Sequence, residues 1–100
     1  MKPSGIEPIV DCAAREGGWH CSVVLGDGEH SVQVDRGTLD DLAPGRTPDD
    51  LVRASFLFLL EREPPESIMR SFELPIIGRF FADYPDEMRR RLGGSGPASG

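Results

Sequence analysis

The chain has 100 residues, the size of a single domain, and its 17 acidic and 11 basic residues give a formal net charge of −6. Hydrophobic residues make up 38% and charged residues 28%, which is typical of a globular chain and excludes general disorder. The longest mainly apolar run, residues 54–60, is far shorter than the roughly 18 residues of a membrane span. The acidic balance argues against nucleic acid and anionic membrane surfaces as partners.

We predict one domain over residues 1–92, with its sheet in residues 8–36 and its helical part in residues 47–92. Residues 93–100 are rich in glycine and serine and are expected to form a flexible tail. No apolar signal segment is seen at the start, so we predict a cytoplasmic protein with reduced thiols. Arginine far outnumbers lysine, which favours a bacterial, GC-rich origin.

Three segments in which apolar and polar residues alternate predict an antiparallel meander over residues 9–14, 19–25 and 31–35. Glu16-Gly17 and Asp27-Gly28 lie between these segments. Such dipeptides favour tight hairpin turns because the turn requires positive φ, which glycine adopts freely. We therefore expect two hairpins centred on these two dipeptides.

Those turn positions fix a register that can be checked by the faces it creates. The first hairpin then pairs Cys12 with Cys21, and the second pairs Val23 with Val32. Both pairings place the same apolar side chains on one face, as a sheet that covers a core requires. This face holds Val10, Cys12, Ala14, Trp19, Cys21, Val23, Leu25, Val32 and Val34.

A helical half follows the sheet. One turn is expected at residues 38–42, and the sequence Thr-Pro-Asp-Asp at 47–50 predicts a capped start for a long helix that ends near Glu63. This helix is apolar on two stripes, so it needs covers on two sides. The sheet is expected to cover Leu51, Ser55, Phe58 and Arg62. The C-terminal segment or another subunit must then cover Val52, Phe56, Leu59 and Leu60.

Prolines divide the rest of the chain into short segments. We predict short helices at residues 65–72 and 76–82, and a last turn from residue 85 that ends in Arg89-Arg90-Arg91. The predicted fold class is α+β: a three-stranded antiparallel meander followed by one long helix and two or three short C-terminal helices.

The reactive residue types do not form a recognised catalytic pattern. Cys12 and Cys21 are cross-strand neighbours and could form a redox pair, but we expect two reduced core residues. His20 and His30 lack metal-ligand spacing, and His20 is expected to pair with Asp35 on the wet face. We predict no catalytic residues, no cofactor, no metal and no enzyme activity.

The apolar excess of the helical half is the strongest functional signal. If these apolar side chains are buried within one monomer, they are simply part of its core. If they are exposed, they form an interface, because an exposed apolar patch of several hundred Å² usually marks one. We predict a small homodimeric protein-interaction module without catalysis, whose partner is itself or another protein. The candidate contact residues are Phe56, Leu60, Ile77, Phe80 and Phe81.

An alternative is an antitoxin-like or DNA-binding regulator that uses residues 66–82 as a degenerate helix-turn-helix, with Leu74 at the turn. Residues 61–92 carry a charge near neutrality rather than a basic footprint, so nucleic acid is the less favoured partner.

Two resemblances accompany these predictions. The run LVxxSFxFLLEREPxESI from residue 51, followed by FxLxxIxxFF from residue 72, resembles a small bacterial protein family of unassigned function and implies no catalytic residues. The Glu-Gly-Gly-Trp turn between strands and the later Thr-Pro-Asp-Asp helix start resemble the HicB-type antitoxin scaffold. That resemblance implies a small dimeric sheet-plus-helix protein that neutralises a toxin.

Overall fold

A computed structural model describes residues 7–93, and it is built on one four-stranded mixed sheet. The strands lie in the order β1-β2-β3-β4, and the first three are antiparallel neighbours. The fold is therefore α+β, as predicted, but the sheet has a fourth strand. The strand bounds are Ile9–Arg15 for β1, Gly18–Leu25 for β2, Gly28–Asp35 for β3 and Ser71–Glu73 for β4.

The first hairpin has the predicted register. Cys12 lies opposite Cys21, and Arg15 lies opposite Gly18, which leaves Glu16 and Gly17 as the two turn residues. Gly17 has a φ of 78°, the left-handed conformation that such a turn requires. The turn chemistry alone therefore fixed this pairing.

The second hairpin is shifted by two residues from its predicted register. Leu25 lies opposite Gly28 and Val23 lies opposite His30, so the turn is Gly26-Asp27 rather than Asp27-Gly28. Gly26 supplies the positive φ, at 55°. A shift of two leaves each side chain on its predicted face, because side chains alternate with a period of two. The apolar face was thus predicted correctly from a wrong pairing.

The fourth strand comes from the C-terminal half and lies parallel to β3. Phe72 lies opposite Val32, and the backbone N–H of Ser31 donates to the carbonyl of Arg70 at 2.7 Å. The sequence predicted a helix over residues 65–72, which is wrong. Residues Pro65–Ser67 form one 3-10 turn, and the chain then extends to pair with the sheet. Pairing with an open sheet edge outweighs the local helical pattern here.

Four α-helices complete the fold. The predicted turn before the long helix is present as α1, and the long helix α2 ends three residues earlier than predicted. Their bounds are Arg36–Leu42 for α1, Pro48–Leu60 for α2, Ile77–Phe80 for α3 and Tyr84–Met88 for α4. A 3-10 turn, Leu74–Ile76, precedes α3, and a π-helical turn, Arg89–Gly93, follows α4.

Thr47 caps the long helix as the sequence predicted. Its side-chain oxygen accepts from the backbone N–H of Asp50 at 3.2 Å, and Pro48 opens the first turn. Asp49 and Asp50 lie in that first turn, where acidic side chains favour the helix dipole.

The core lies on both sides of α2, and the C-terminal segment of the same chain supplies the second cover. The two predicted stripes are exchanged, however. Phe56 packs towards the sheet side, 5.4 Å from the ring of His30, whereas Phe58 lies 5.4 Å from the ring of Tyr84 in α4. Both stripes are apolar, so their periodicity could not show which of them meets the sheet.

A buried hydrogen-bond chain joins α2 to α4. The Ser55 hydroxyl donates to the carbonyl of Leu51 at 2.7 Å, and the Tyr84 hydroxyl donates to Ser55 Oγ at 2.7 Å. Burial raises the pKa of Tyr84 despite its hydrogen bond with Ser55, so the phenol stays protonated as this donor role requires.

Candidate functional site

The five residues predicted to form the contact surface occupy different depths of the structure. Phe56 is fully buried and Ile77 is 2% exposed, so both belong to the core and offer no surface to a partner. Leu60 and Phe81 are partly buried at its margin. Phe80 is 66% exposed, the largest exposure of any aromatic side chain in residues 7–93. The predicted surface thus reduces to Phe80 and its neighbours.

Phe80 stands at one side of an apolar groove of about 190 Å³, which we call the Phe80 groove. Apolar side chains form most of its wall, and the groove runs from the end of the 3-10 turn at residue 67, past β4, to α3. Its lining includes Met69, Phe72, Ile76, Phe80, Phe81 and the acidic side chain of Glu63.

Four of these residues were missing from the predicted contact surface: Glu63, Met69, Phe72 and Ile76. Met69 is 42% exposed, and Ile76 packs against the core while lining the groove. Both lie in stretches that the sequence assigned to helices, and the real backbone is extended or 3-10 there. A helical pattern therefore placed the wrong side chains together.

The groove adjoins a free sheet edge. β4 is the last strand in the sheet order, and its inner neighbour is β3, so its outer backbone groups have no strand partner within residues 7–93. A short edge strand beside an apolar groove is a feature that partners recognise through backbone and side chain together.

One acidic side chain belongs to the groove, and one basic side chain is the sequence neighbour of Phe80. Glu63 lines the groove, and Arg79 precedes the exposed Phe80 in α3. Neither forms an ion pair within residues 7–93, in contrast to the arginines of the last turn. Glu63 in the groove and Arg79 next to Phe80 in sequence are thus charges of opposite sign without an ion-pair partner in this part of the chain.

The two cysteines are bonded to each other. This matches the redox pair that the sequence allowed as the alternative. Cys12 and Cys21 form a disulfide between β1 and β2, nine residues apart in sequence. The expectation of two reduced core residues is therefore wrong in this structure. Disulfides persist mainly in oxidising compartments, so the cytoplasmic localisation stays a prediction.

His20 contacts Ser31 rather than its predicted partner, Asp35. The ring Nε2 of His20 forms a hydrogen bond with Ser31 Oγ across the outward face of the sheet. The two-residue shift of the second hairpin is the cause, because it places Asp35 opposite Gly18. No carboxylate in the described residues hydrogen-bonds this histidine, so the pair lacks the third group that orients a catalytic base.

The helix-turn-helix alternative does not match the structure. Residues 66–82 contain a 3-10 turn, the strand β4, a second 3-10 turn and the four-residue helix α3, with no pair of packed helices. The arginines of the last turn are also occupied: Arg89 pairs with Asp41, Arg90 with Glu87, and Arg91 with Glu61. These guanidinium groups are therefore compensated by carboxylates of the chain itself.

Within residues 7–93, no cluster of three or more histidine, cysteine or acidic side chains could hold a metal ion. In the same part of the chain, no helix is both long and apolar enough to cross a bilayer.

No protein-family model, curated protein or solved structure matches the chain. The two resemblances drawn from the sequence therefore remain predictions.

Proposed function

We propose that this protein is a small interaction module without catalytic activity, and that a second copy of the chain binds at the Phe80 groove. The exposure of Phe80 carries the proposal. A phenyl ring that is 66% exposed beside an apolar groove leaves a large apolar area in water, and association removes it.

The unpaired charges support a second copy as the occupant. In a twofold dimer the same patch faces itself, so a contact between residue i and residue j occurs twice. Glu63 of one copy and Arg79 of the other then form two symmetric ion pairs at the rim. Such pairs set orientation and register more than affinity.

Sedimentation velocity over a wide concentration range tests the proposal. The wild-type chain is expected to shift from monomer to dimer, and Phe80→Ser is expected to remain monomeric. Ile9→Ser is the matched control, because Ile9 is 65% exposed on β1, at the opposite edge of the sheet. That variant is expected to dimerise like the wild type.

A charge exchange sharpens this test. Glu63→Arg and Arg79→Glu are each expected to weaken the dimer, and the double variant is expected to restore it. A wild-type chain that sediments as a monomer throughout, or a dimer that Ile9→Ser abolishes and Phe80→Ser preserves, would contradict the proposal.

A further inference from the structure

A second groove, of about 480 Å³, lies beside the Gly26-Asp27 turn at the start of β3, and we call it the His30 groove. It shares only Ile68 with the lining of the Phe80 groove. Its distinctive member is His30, whose side chain is 93% buried because it points to the inner face of the sheet together with Val32 and Val34. A polar ring at such a position requires an explanation.

One ring nitrogen of His30 has a partner and the other has none. Nδ1 lies 2.7 Å from the backbone carbonyl of Met69. A carbonyl only accepts hydrogen bonds, so Nδ1 carries the hydrogen and Nε2 of the neutral ring has a free lone pair. Within residues 7–93, Nε2 has no hydrogen-bond partner. A buried acceptor without a partner is unfavourable until a donor reaches it.

A glycine keeps that lone pair open to the groove. Gly28 is the preceding inner-face position of β3 and lines the same groove, and a β-carbon built there would lie 3.9 Å from Nε2. A side chain at this position would be in van der Waals contact with Nε2 and would narrow its access to the groove. The missing side chain therefore creates access to a buried acceptor.

The remaining lining combines apolar walls with a net negative charge. Leu25 and Ile68 are almost fully buried and form apolar wall, while Asp27 and Glu66 bring two carboxylates and Arg70 one guanidinium. None of these three charged groups forms an ion pair within the described chain. The chain as a whole carries a net charge of −6, which attracts cations.

We propose that the His30 groove binds a protonated primary amine on an alkyl stem. The ammonium donates to His30 Nε2, the carboxylates of Asp27 and Glu66 compensate its charge, and the stem packs on Leu25 and Ile68. An anion is disfavoured because it would meet a lone pair and two carboxylates against the single guanidinium of Arg70. Amine binding at this site does not require the proposed dimer.

Titration with 1,5-diaminopentane, followed through the imidazole ¹⁵N resonances, tests the site directly. A saturable shift of the His30 Nε2 resonance is expected, with the His20 resonances unchanged as an internal control. Inorganic phosphate is the opposing probe and is expected to cause no such shift. A phosphate-dependent shift without an amine-dependent one, or no saturable shift with either probe, overturns the proposal.

Two variants test separately the access of a ligand to His30 Nε2 and the negative charge of the groove. Gly28→Ala adds one methyl group at ordinary contact distance, 3.6 Å from the Leu25 carbonyl, so the fold is kept while Nε2 is covered. We expect it to weaken amine binding about tenfold or more, as loss of a charge-assisted hydrogen bond does. Glu66→Gln removes one exposed counter-charge and is expected to weaken binding about two- to fivefold.

Glu29→Gln is the matched control, because Glu29 is an exposed acid on the same strand that does not line the groove. It is expected to bind like the wild type, and equal losses in Glu29→Gln and Glu66→Gln would contradict a local site.

Nα-acetyl-lysine methylamide distinguishes the source of the amine. Binding of this compound in preference to the diamine identifies a lysine side chain of a protein as the ligand, and the reverse preference identifies a free small amine.

Discussion

Helix α2 is covered on its two sides by structures that use different chemistry. On one side lies the sheet, whose two inner strands have their backbone groups paired on both sides, so that buried valines and the ring of Phe56 suffice for contact. On the other side lie short helical turns, which are held by specific polar anchors. The Tyr84 hydroxyl donates to Ser55 Oγ, and the carboxylate of Asp83 pairs with the guanidinium of Arg62 at 2.9 Å, just beyond the end of α2.

The difference follows from backbone hydrogen bonding. A regular sheet satisfies its own N–H and C=O groups and needs only apolar contact with a neighbour. Helices of four and five residues, such as α3 and α4, leave most of theirs without intrahelical partners. Side-chain hydrogen bonds, ion pairs and stacking on aromatic rings must then hold such a segment in place. The following predictions test the two covers in order of expected effect.

The largest effect is expected on the sheet side. Phe56→Ala removes a fully buried ring that packs on His30 and on Phe72, whose centroid is 6.0 Å away. We expect a loss of about 3–5 kcal/mol in the free energy of unfolding, because truncation of a core phenylalanine leaves a cavity. Urea denaturation followed by circular dichroism measures it, and Leu57→Ala, on the exposed side of α2, is the control.

Reduction of the disulfide is expected to have the next largest effect. The bond closes a short loop between β1 and β2, with a sequence separation of nine, so the chain-entropy model gives about 2–3 kcal/mol. Denaturation of the wild type with and without dithiothreitol measures the loss, and the double variant Cys12→Ala/Cys21→Ala serves as the non-reducible reference. Equal stability of the oxidised and reduced wild type would show that hairpin pairing alone holds β1.

The hydrogen bond between Ser55 of α2 and Tyr84 of α4 predicts different losses of stability when one or the other partner is removed. Tyr84→Phe leaves the Ser55 hydroxyl bonded to the Leu51 carbonyl, so the expected loss is about 1 kcal/mol. Ser55→Ala instead leaves the buried Tyr84 hydroxyl without its partner and is expected to cost more, about 1–3 kcal/mol. Denaturation midpoints of both variants decide the order, and the reverse order would contradict this arrangement.

The smallest effect concerns pH. Hydrogen bonds from Arg91 and Arg90 hold the pKa of Glu87 below its ordinary value of 4.5. A lowered pKa in the folded state stabilises the protein above pH 4.5, and this contribution is lost as the pH falls through the folded-state pKa. Glu87→Gln is therefore expected to be less stable than the wild type near neutrality, and the gap should close in acid. Urea denaturation at several pH values measures the gap, and a gap independent of pH would contradict the assignment.

Sequence patterns predicted the sheet side far better than the C-terminal cover. Gly17 fixed the first hairpin, because a turn that requires positive φ is a local property. Thr47 fixed the start of α2 for the same reason. The partner of Ser71–Glu73 is a strand some forty residues earlier, and no local pattern encodes that choice. The sequence therefore assigned a helix where the chain extends.

The predicted contact residues of the Phe80 groove were also only partly correct. Phe80 was predicted as a contact residue and is exposed, but Phe56 and Ile77 were placed in the same group and are core. Which apolar residues remain outside depends on how the C-terminal segment folds back over α2. The sequence patterns predicted no inward position for His30 and showed only that it lacks metal-ligand spacing. Its alternation with Val32 and Val34 was the signal that it points inwards.

The most direct test of the proposed dimer is a two-dimensional NMR spectrum recorded over a series of protein concentrations. The account predicts that signals of the residues lining the Phe80 groove, including Met69 and Phe72, shift together as concentration rises. Signals from the opposite edge, at Ile9 and Leu57, are predicted to stay fixed. Concentration-dependent shifts at that opposite edge with none around Phe80 would contradict the account.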